Sequence, residues 1–256
     1  MYPRRDAGVG AAMARIAGAE LFVVDVVPLH PSRLEAGARW HAWTVLPVAI
    51  GPGLWRWTAP HPDWTPGAPD GGEEDWQQMV GCVLYDTGDA VALIDPLLPR
   101  DGRERFLAWL DRHAADRPVS ILTTIRWHRR DREELARRYS GASARAWNAV
   151  PAGVAPHPLR GAGETLFWLP GAAALVTGDR LLGGPHGTLR VCPQSWLSRV
   201  RVDRAGLAEL LRPLLELPIE RLVVSHGEPV LHDGRGALER AIEEARGGAE
   251  HPRRER

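Results

Sequence analysis

Apolar and polar positions divide the chain after Val45 into short strands and amphipathic helices. Alternation with period two, and short apolar runs bounded by turn residues, predict strands, whereas apolar positions three and four apart predict helices. The predicted strands are 54–58, 80–85, 90–94, 119–124, 165–169, 172–177 and 221–225. The predicted helices are 103–115, 132–139, the Leu-rich segment 207–215 and 238–245. Hairpins in the middle of the chain, with strands and helices alternating around them, indicate helices packed outside stacked sheets.

Turn chemistry and loops refine this arrangement. Thr87-Gly88-Asp89 and Pro170-Gly171 are typical of hairpin turns, and Pro213 predicts a kink in the Leu-rich helix. Residues 60–72 are rich in proline and glycine and predict a long surface loop. Residues 1–44 show no sustained period, so we expect a loosely structured N-terminal extension, one domain over 45–246 and a polar tail over 247–256.

Composition limits the classes of function. The chain has 256 residues, with 32 Lys and Arg balanced by 32 Asp and Glu. A neutral chain has no overall field to attract nucleic acid, so the expected partner is a small molecule. No apolar segment is long enough to cross a bilayer, and the first residues do not resemble a signal peptide. With only Cys82 and Cys192 available, we expect a cytoplasmic protein with reduced thiols, and the oligomeric state is left open.

Short polar motifs follow three of the predicted strands. They are Ile94-Asp95-Pro96, Thr177-Gly178-Asp179 and Ser225-His226-Gly227. Each alone is typical of an ordinary turn. Their order and spacing, with 121–131 between the first two, resemble the metallo-β-lactamase superfamily from about Val45 to Ala245. The resemblance implies a four-layer αββα sandwich of the α/β (α+β) class, with the active site at one edge of the two sheets.

The same resemblance implies a metal site built from histidines and aspartates that converts bound water into hydroxide. Carried over onto this chain, the ligands are Asp131, Asp179 and His226, which are enough for a single zinc ion. Other histidine positions of the family motif fall on residues that cannot bind zinc: Trp127, Arg129 and Arg132. His128 lies one position away from the motif, so a local shift would bring it to the site, whereas an exposed histidine is the alternative.

Further residues extend this candidate site. Arg129 and Arg132 are expected to neutralise the carboxylates in place of a metal, although solvation of a helix start also explains arginines here. Trp64 and Trp127 are candidates for the pocket wall, and His61 for an acid or base.

Two functions remain open at this point. The first is a non-hydrolytic protein that binds a small ligand in an eroded site without metal. The second is a one-metal zinc hydrolase acting on an ester, thioester, amide or phosphoester, with His128 or His61 completing the shell or carrying a proton.

Overall fold

The computed structural model of the chain describes residues 47–64, 76–139 and 150–247. The predicted extension 1–44 lies outside these residues, as do 248–256 of the predicted tail and 65–72 of the predicted loop. Within the described residues, two sheets and a separate two-stranded hairpin are accompanied by four α-helices.

The first sheet has five strands in the order of the sequence. They are β1 (Val48–Gly51), β2 (Leu54–Pro60), β3 (Met79–Asp86), β4 (Val91–Ile94) and β5 (Val119–Leu122). Neighbours are antiparallel except β4 and β5, which run parallel because α1 (Arg103–Ala114) connects them. A short helix, α2 (Arg132–Arg138), follows β5.

The second sheet has four strands in the order β11-β8-β7-β6. Its strands are β6 (Ala155–Leu159), β7 (Glu164–Leu169), β8 (Ala174–Val176) and β11 (Arg221–Val223), and the separate hairpin consists of β9 (Leu181–Gly183) and β10 (Leu189–Val191). The helices of this half are α3 (Arg204–Leu211) and α4 (Gly234–Gly247). Strands β8 and β11 are parallel, with α3 between them in sequence.

Apolar side chains form three layers, which define the order of the elements. Alternation along β3 sends Cys82 and Leu84 to one face, where they pack with Phe106 of α1, and Val83 and Tyr85 to the other face. That inner face meets side chains of the second sheet, among them Phe167, Val176 and Val223. The outer face of the second sheet packs on α3 and α4 through Leu207, Leu211, Leu238 and Ile242. Helix, sheet, sheet and helix therefore stack in the predicted αββα order.

Several element boundaries differ from the sequence prediction. The Leu-rich helix ends as α-helix at Leu211 and continues as a 3-10 helix over Arg212–Glu216, next to Pro213. The last helix begins at Gly234, earlier than expected, and four strands were not predicted: β1, β6, β9 and β10. None of the described helices combines the length and apolar character needed to span a membrane.

Contacts between the two sheets fix one of their common edges. The amide of Gly81 in β3 donates to the carbonyl of Ser225, 2.7 Å away, and Arg56 Nη2 donates to the carbonyl of Gly227. A Cβ at Gly81 would lie 2.5 Å from the carbonyl oxygen of Val224, so this close approach requires glycine. The segment after β11 is thereby held against β3.

Candidate metal centre

Polar side chains follow four strands at this common edge. Asp95 follows β4 and His128 lies beyond β5, whereas Asp179 and His226 lie just beyond β8 and β11. Within each sheet the two strands concerned are parallel, so their carboxyl ends lie at the same edge. The fold therefore brings together residues that are far apart in the sequence.

Three of these side chains form a buried group, the His-Asp-His cluster, which consists of His128, Asp179 and His226. Their exposed fractions are 3%, 6% and 8%. Oδ1 of Asp179 lies 3.0 Å from Nε2 of His128 and 3.3 Å from Nε2 of His226. One potential ligand atom from each residue lies within 4.8 Å of the others. Imidazole nitrogen and carboxylate oxygen are common zinc ligands.

The polar atoms of the cluster are close without being hydrogen bonded to one another. Oδ1 of Asp179 is buried and accepts no hydrogen bond from any described residue, so the nearby imidazole N–H groups are not aimed along the short separations. Nδ1 of His226 is also buried and unpartnered within the described part of the chain. Buried polar atoms are normally satisfied, so this convergence fits a group that binds a cation.

The charges of the cluster stabilise one another in the absence of a cation. Burial by itself lowers the pKa of His128, but the carboxylates of Asp179 and Asp95 outweigh burial and raise this pKa to about 9. Burial opposes ionisation of Asp179, yet the charge of His128 holds the pKa of Asp179 well below its usual range. An imidazolium beside a carboxylate is therefore the metal-free state of the pair.

Asp95 orients His128. Oδ2 of Asp95 lies 2.9 Å from Nδ1 of His128 and accepts a hydrogen bond from the Thr124 hydroxyl, while its Oδ1 accepts one from the Thr124 amide at 2.8 Å. A carboxylate only accepts, so Nδ1 of His128 is the donor and Nε2 faces Asp179. A carboxylate behind a histidine fixes the ring tautomer in the way that metal-binding histidines require.

Glu164 holds the loop that carries Asp179. This buried carboxylate, at the start of β7, accepts hydrogen bonds from the amides of Gly178, Asp179 and Arg180 at 2.8 to 3.0 Å. Burial and the charge of Asp179 raise the pKa of Glu164 to about 7, although the amide of Gly178 opposes the shift. The position of Asp179 thus depends on a side chain from a neighbouring strand.

An open pocket of about 460 Å³ lies over the cluster and is called here the histidine pocket. Its wall includes three tryptophans, Trp76, Trp127 and Trp196, and the imidazole of His61. The rings of Trp76 and Trp196 meet that of His226 edge-on, with centroids 5.3 and 5.7 Å away. The pocket therefore combines aromatic walls with a polar floor, as small-molecule sites commonly do.

His61 is held in one orientation within this pocket. Its Nδ1 accepts a hydrogen bond from the Asp63 amide at 3.2 Å, so the neutral ring carries its proton on Nε2. Burial, followed by the charge of Arg130, lowers the pKa of His61. The neutral ring therefore offers an N–H donor.

Comparisons with known proteins support the architecture. No protein-family model matches the chain, and no curated protein matches it. Among solved structures, the NDM_FIM-1-like metallo-β-lactamase from Erythrobacter litoralis, in its mono-zinc form, is similar with a TM-score of 0.53 and 17% identity. The match covers 79% of this chain and 97% of that one.

Two further solved structures agree with it. The DIM-1 metallo-β-lactamase exposed to ceftazidime has a TM-score of 0.54 at 10% identity, covering 79% of this chain and 97% of that one. FIM-1 from Pseudomonas aeruginosa, also mono-zinc, has a TM-score of 0.51 at 12% identity, covering 81% and 97%. This chain has the metallo-β-lactamase fold. At these identities the likeness concerns the fold and says nothing of activity.

In this metallo-β-lactamase fold the residues expected to bind metal are only partly brought together. Asp179 and His226 lie in the cluster, and the third member is His128. Asp131 lies elsewhere: it precedes α2, and its Oδ2 accepts a hydrogen bond from the Leu98 amide at 2.6 Å. The physical reason is the tight path after β5, where the His128 amide bonds the Ile125 carbonyl and Arg130 takes φ 42°.

The expected arginine neutralisation does not occur in this arrangement. Neither Arg129 nor Arg132 forms an ion pair with Asp131 or Asp179 among the described residues, and both line a different cavity. Asp179 Oδ2 instead accepts a 2.6 Å hydrogen bond from Nε1 of Trp127. Histidines and an indole therefore surround this carboxylate.

The aromatic candidates lie at or near the pocket. Trp127 forms part of its wall and is 46% exposed. Trp64 does not line the pocket but supports it, because its Nε1 donates to the carbonyl of Trp76 at 2.8 Å. His61 lines the pocket, and its ring meets that of Trp76 edge-on with centroids 5.2 Å apart.

Sequence reasoning missed four contributors to the site: Glu164, Trp76, Trp196 and Arg130 as a cross-link. Arg130 donates to the carbonyls of Gly81 and Asp95 and to the Ser225 hydroxyl, and so connects three segments of this edge. A signal for Glu164 did exist, since it begins the otherwise apolar strand ETLFWL. A buried acid in such a strand needs donors, and these are the amides 178–180.

Proposed function

We propose that the protein is a metal-dependent hydrolase with a single zinc ion held by His128, Asp179 and His226. The observation that carries this proposal is Oδ1 of Asp179, which is buried, accepts no hydrogen bond among the described residues, and lies within 3.3 Å of two imidazole nitrogens. Three protein ligands beside an open pocket are typical of a catalytic zinc site, whereas structural sites have four. The residues therefore fit the metal that the fold implies.

The protein groups have separable roles in this proposal. A bound zinc ion would supply a Lewis acid and a nucleophilic hydroxide at neutral pH. Asp95 accepts the Nδ1 proton of His128, so that Nε2 is the nitrogen that loses its proton when a metal binds. Trp127 holds Oδ2 of Asp179 so that Oδ1 remains available. His61, with its proton on Nε2, lies in the pocket wall as a hydrogen-bond donor to a substrate oxygen.

The pocket indicates a class of substrate by its walls. Trp76, Trp127 and Trp196 offer ring faces and edges to an apolar or planar portion of a small molecule. The chemistry of a single zinc site suits an ester, thioester, amide or phosphoester bond.

A second candidate function is binding of a small ligand in the same pocket without metal. Two observations favour it: the hydrogen bond from Trp127 to Oδ2 of Asp179, and the pKa of about 9 at His128. Together they satisfy the charge of Asp179 without a cation. A metal would have to displace the proton of His128 before binding.

Metal content distinguishes the two functions. Untagged protein is dialysed against zinc, freed of excess metal and measured by plasma mass spectrometry, alongside His226→Ala and the matched control His232→Ala, whose ring is 85% exposed and outside the cluster. We expect about one zinc ion per chain in wild type and control, and its loss in His226→Ala. A wild-type protein without zinc would refute the hydrolase and favour the metal-free ligand-binding function.

Activity is the second readout. The zinc-loaded protein is assayed on chromogenic ester, thioester, amide and phosphodiester substrates with aromatic leaving groups. We expect hydrolysis of at least one class that is lost with a chelator, restored by zinc and absent in Asp179→Asn. Stoichiometric zinc without hydrolysis of any class would retain the metal centre but refute the hydrolytic function.

A further inference from the structure

A second cavity lies beside the histidine pocket and shares none of its lining residues. It measures about 430 Å³ and lies between the segment after β5 and the segment that connects β6 and β7. Four arginines line it, and it is called here the arginine cavity: Arg126, Arg129, Arg132 and Arg160. Its size is that of a small-molecule site.

The four guanidinium groups are not neutralised by any described carboxylate. No ion pair or side-chain hydrogen bond to a described residue involves them, and only Arg126 has another contact, with the ring of Trp127 at 5.5 Å. The contrast is with Arg103, Arg117 and Arg138, each of which pairs with a carboxylate. Unpaired like charges around one cavity repel each other, so an anion there would relieve the repulsion.

The one acid that lines the arginine cavity is committed elsewhere. Both oxygens of Glu164 accept hydrogen bonds from the amides 178–180, on the side of the Asp179 loop. Glu164 therefore does not serve as the counter-charge of the arginines. The net charge of the cavity lining remains positive.

Buried polar atoms without partners lie in the same lining. Thr123 Oγ1 and Arg132 Nε are both buried and have no hydrogen-bond partner among the described residues. A hydroxyl and a guanidinium N–H are donors, and buried donors are normally satisfied. Their presence among four arginines points to a ligand that accepts hydrogen bonds.

We propose that the arginine cavity is a binding site for the phosphate group of a small phosphorylated molecule, separate from the metal centre. Guanidinium groups bind phosphate oxygens through pairs of hydrogen bonds. A doubly charged phosphate also neutralises more of the positive charge of several arginines than a single carboxylate does. The hydroxyl of Thr123, buried in the wall of the cavity, would supply an uncharged donor. The volume of the cavity leaves room for an organic portion beside the phosphate.

The test is titration calorimetry with inorganic phosphate, at constant ionic strength and with a chelator present so that no metal contributes. Wild type is compared with Arg129→Gln/Arg160→Gln and with the matched pair Arg105→Gln/Arg137→Gln. The matched pair removes two exposed arginines that lie outside the cavity and form no ion pair with another described residue. We expect at least a tenfold loss of phosphate affinity in the cavity pair and none in the matched pair. Equal affinity in the cavity pair and wild type, or no binding by wild type at millimolar phosphate, would overturn the proposal.

Two single variants test the mechanism of binding and guard against misfolding. Thr123→Val removes the hydroxyl at nearly constant volume, and Arg132→Lys keeps the charge but removes the bidentate geometry. We expect each to weaken phosphate binding severalfold while leaving the circular dichroism spectrum and melting temperature near those of wild type. Unchanged affinity in both variants would mean that phosphate binds elsewhere and would refute the assignment. Retention of zinc by these variants separates this result from the proposed metal function.

Discussion

Replacing Asp95 by Asn tests whether the orientation of His128 prepares the cluster for metal. Asn tolerates the left-handed backbone that Asp95 adopts, with φ 48°, and its amide oxygen can still accept the Thr124 amide now bonded at 2.8 Å. The substitution changes the other side-chain atom, the one that faces His128. An NH₂ group would face Nδ1 of His128, where a carboxylate oxygen now accepts at 2.9 Å.

The magnitude follows from the tautomer. With a donor opposite it, Nδ1 of His128 must become the acceptor, so the ring proton moves to Nε2, the atom that faces Asp179. Nε2 then binds zinc only after the ring gives up this favourable tautomer. Loss of a supporting carboxylate behind a metal-binding histidine typically weakens the metal by about 10- to 100-fold. That loss corresponds to about 1.4 to 2.7 kcal/mol of binding free energy.

Competition with a chromophoric chelator measures the zinc affinity. Long-range ¹⁵N–¹H spectra of the metal-free protein, recorded above the pKa of about 9 of His128, report the tautomer of the neutral ring. The matched control is Asp233→Asn, which makes the same change at another aspartate of positive φ, 53°, where the carboxylate accepts from the Gly236 amide. We expect weaker zinc binding and a changed tautomer only in Asp95→Asn. A zinc affinity within twofold of wild type, in a variant whose tautomer has changed, would refute the reasoning.

Three further predictions concern stability. Phe106 is fully buried, and its ring centroid lies 5.1 Å from that of Trp57. Phe106→Ala should lower the free energy of unfolding by about 3 to 5 kcal/mol in denaturant titrations. A loss below about 1 kcal/mol would contradict this packing. The hydrogen bonds from Arg117 hold the pKa of Asp86 below its usual value, so this pair stabilises the fold above about pH 4 and the contribution is lost as the pH falls further. Asp86→Asn should therefore reduce the loss of melting temperature between neutral pH and about pH 3, and an identical pH profile would argue against it. Gly81→Ala places a methyl group 2.5 Å from the Val224 carbonyl and should lower both the melting temperature and the zinc content, whereas wild-type values of both would show that the two sheets can separate locally.

The fold was accessible from the sequence because its patterns are local. Alternation and strand-end motifs identified most of the central strands, and the order of the motifs indicated the αββα sandwich, which the structure confirms. Local signals conflict in one of the missed strands: β6 has the sequence APHPL, and its two prolines argue against a strand. β9 and β10 have only three residues each, as do β8 and β11, but they lack the longer apolar run that identified β8 and β11.

The site was less accessible because it depends on side-chain directions. The family resemblance favoured Asp131 over His128, but one residue in a turn changes which side chain faces the cluster. The turn includes Arg130, whose positive φ is not signalled by a glycine. Arg129 and Arg132 were expected to pair with carboxylates of the site, yet both line a separate cavity. The contacts of the site join residues that are far apart in the chain. They depend on how the two sheets pack, which local sequence patterns do not show.

The three backbone amides that donate to Glu164 should be protected from hydrogen exchange with solvent. Backbone N–H groups in a loop between two strands ordinarily hydrogen-bond to water, and their hydrogens exchange faster than those of the strands. The N–H groups of Gly178, Asp179 and Arg180 instead donate to one buried carboxylate. Their deuterium exchange should therefore be as slow as that of the amides in the neighbouring strands. In Glu164→Gln, which loses one acceptor oxygen, deuterium exchange of these three amides should become faster than that of the neighbouring strands.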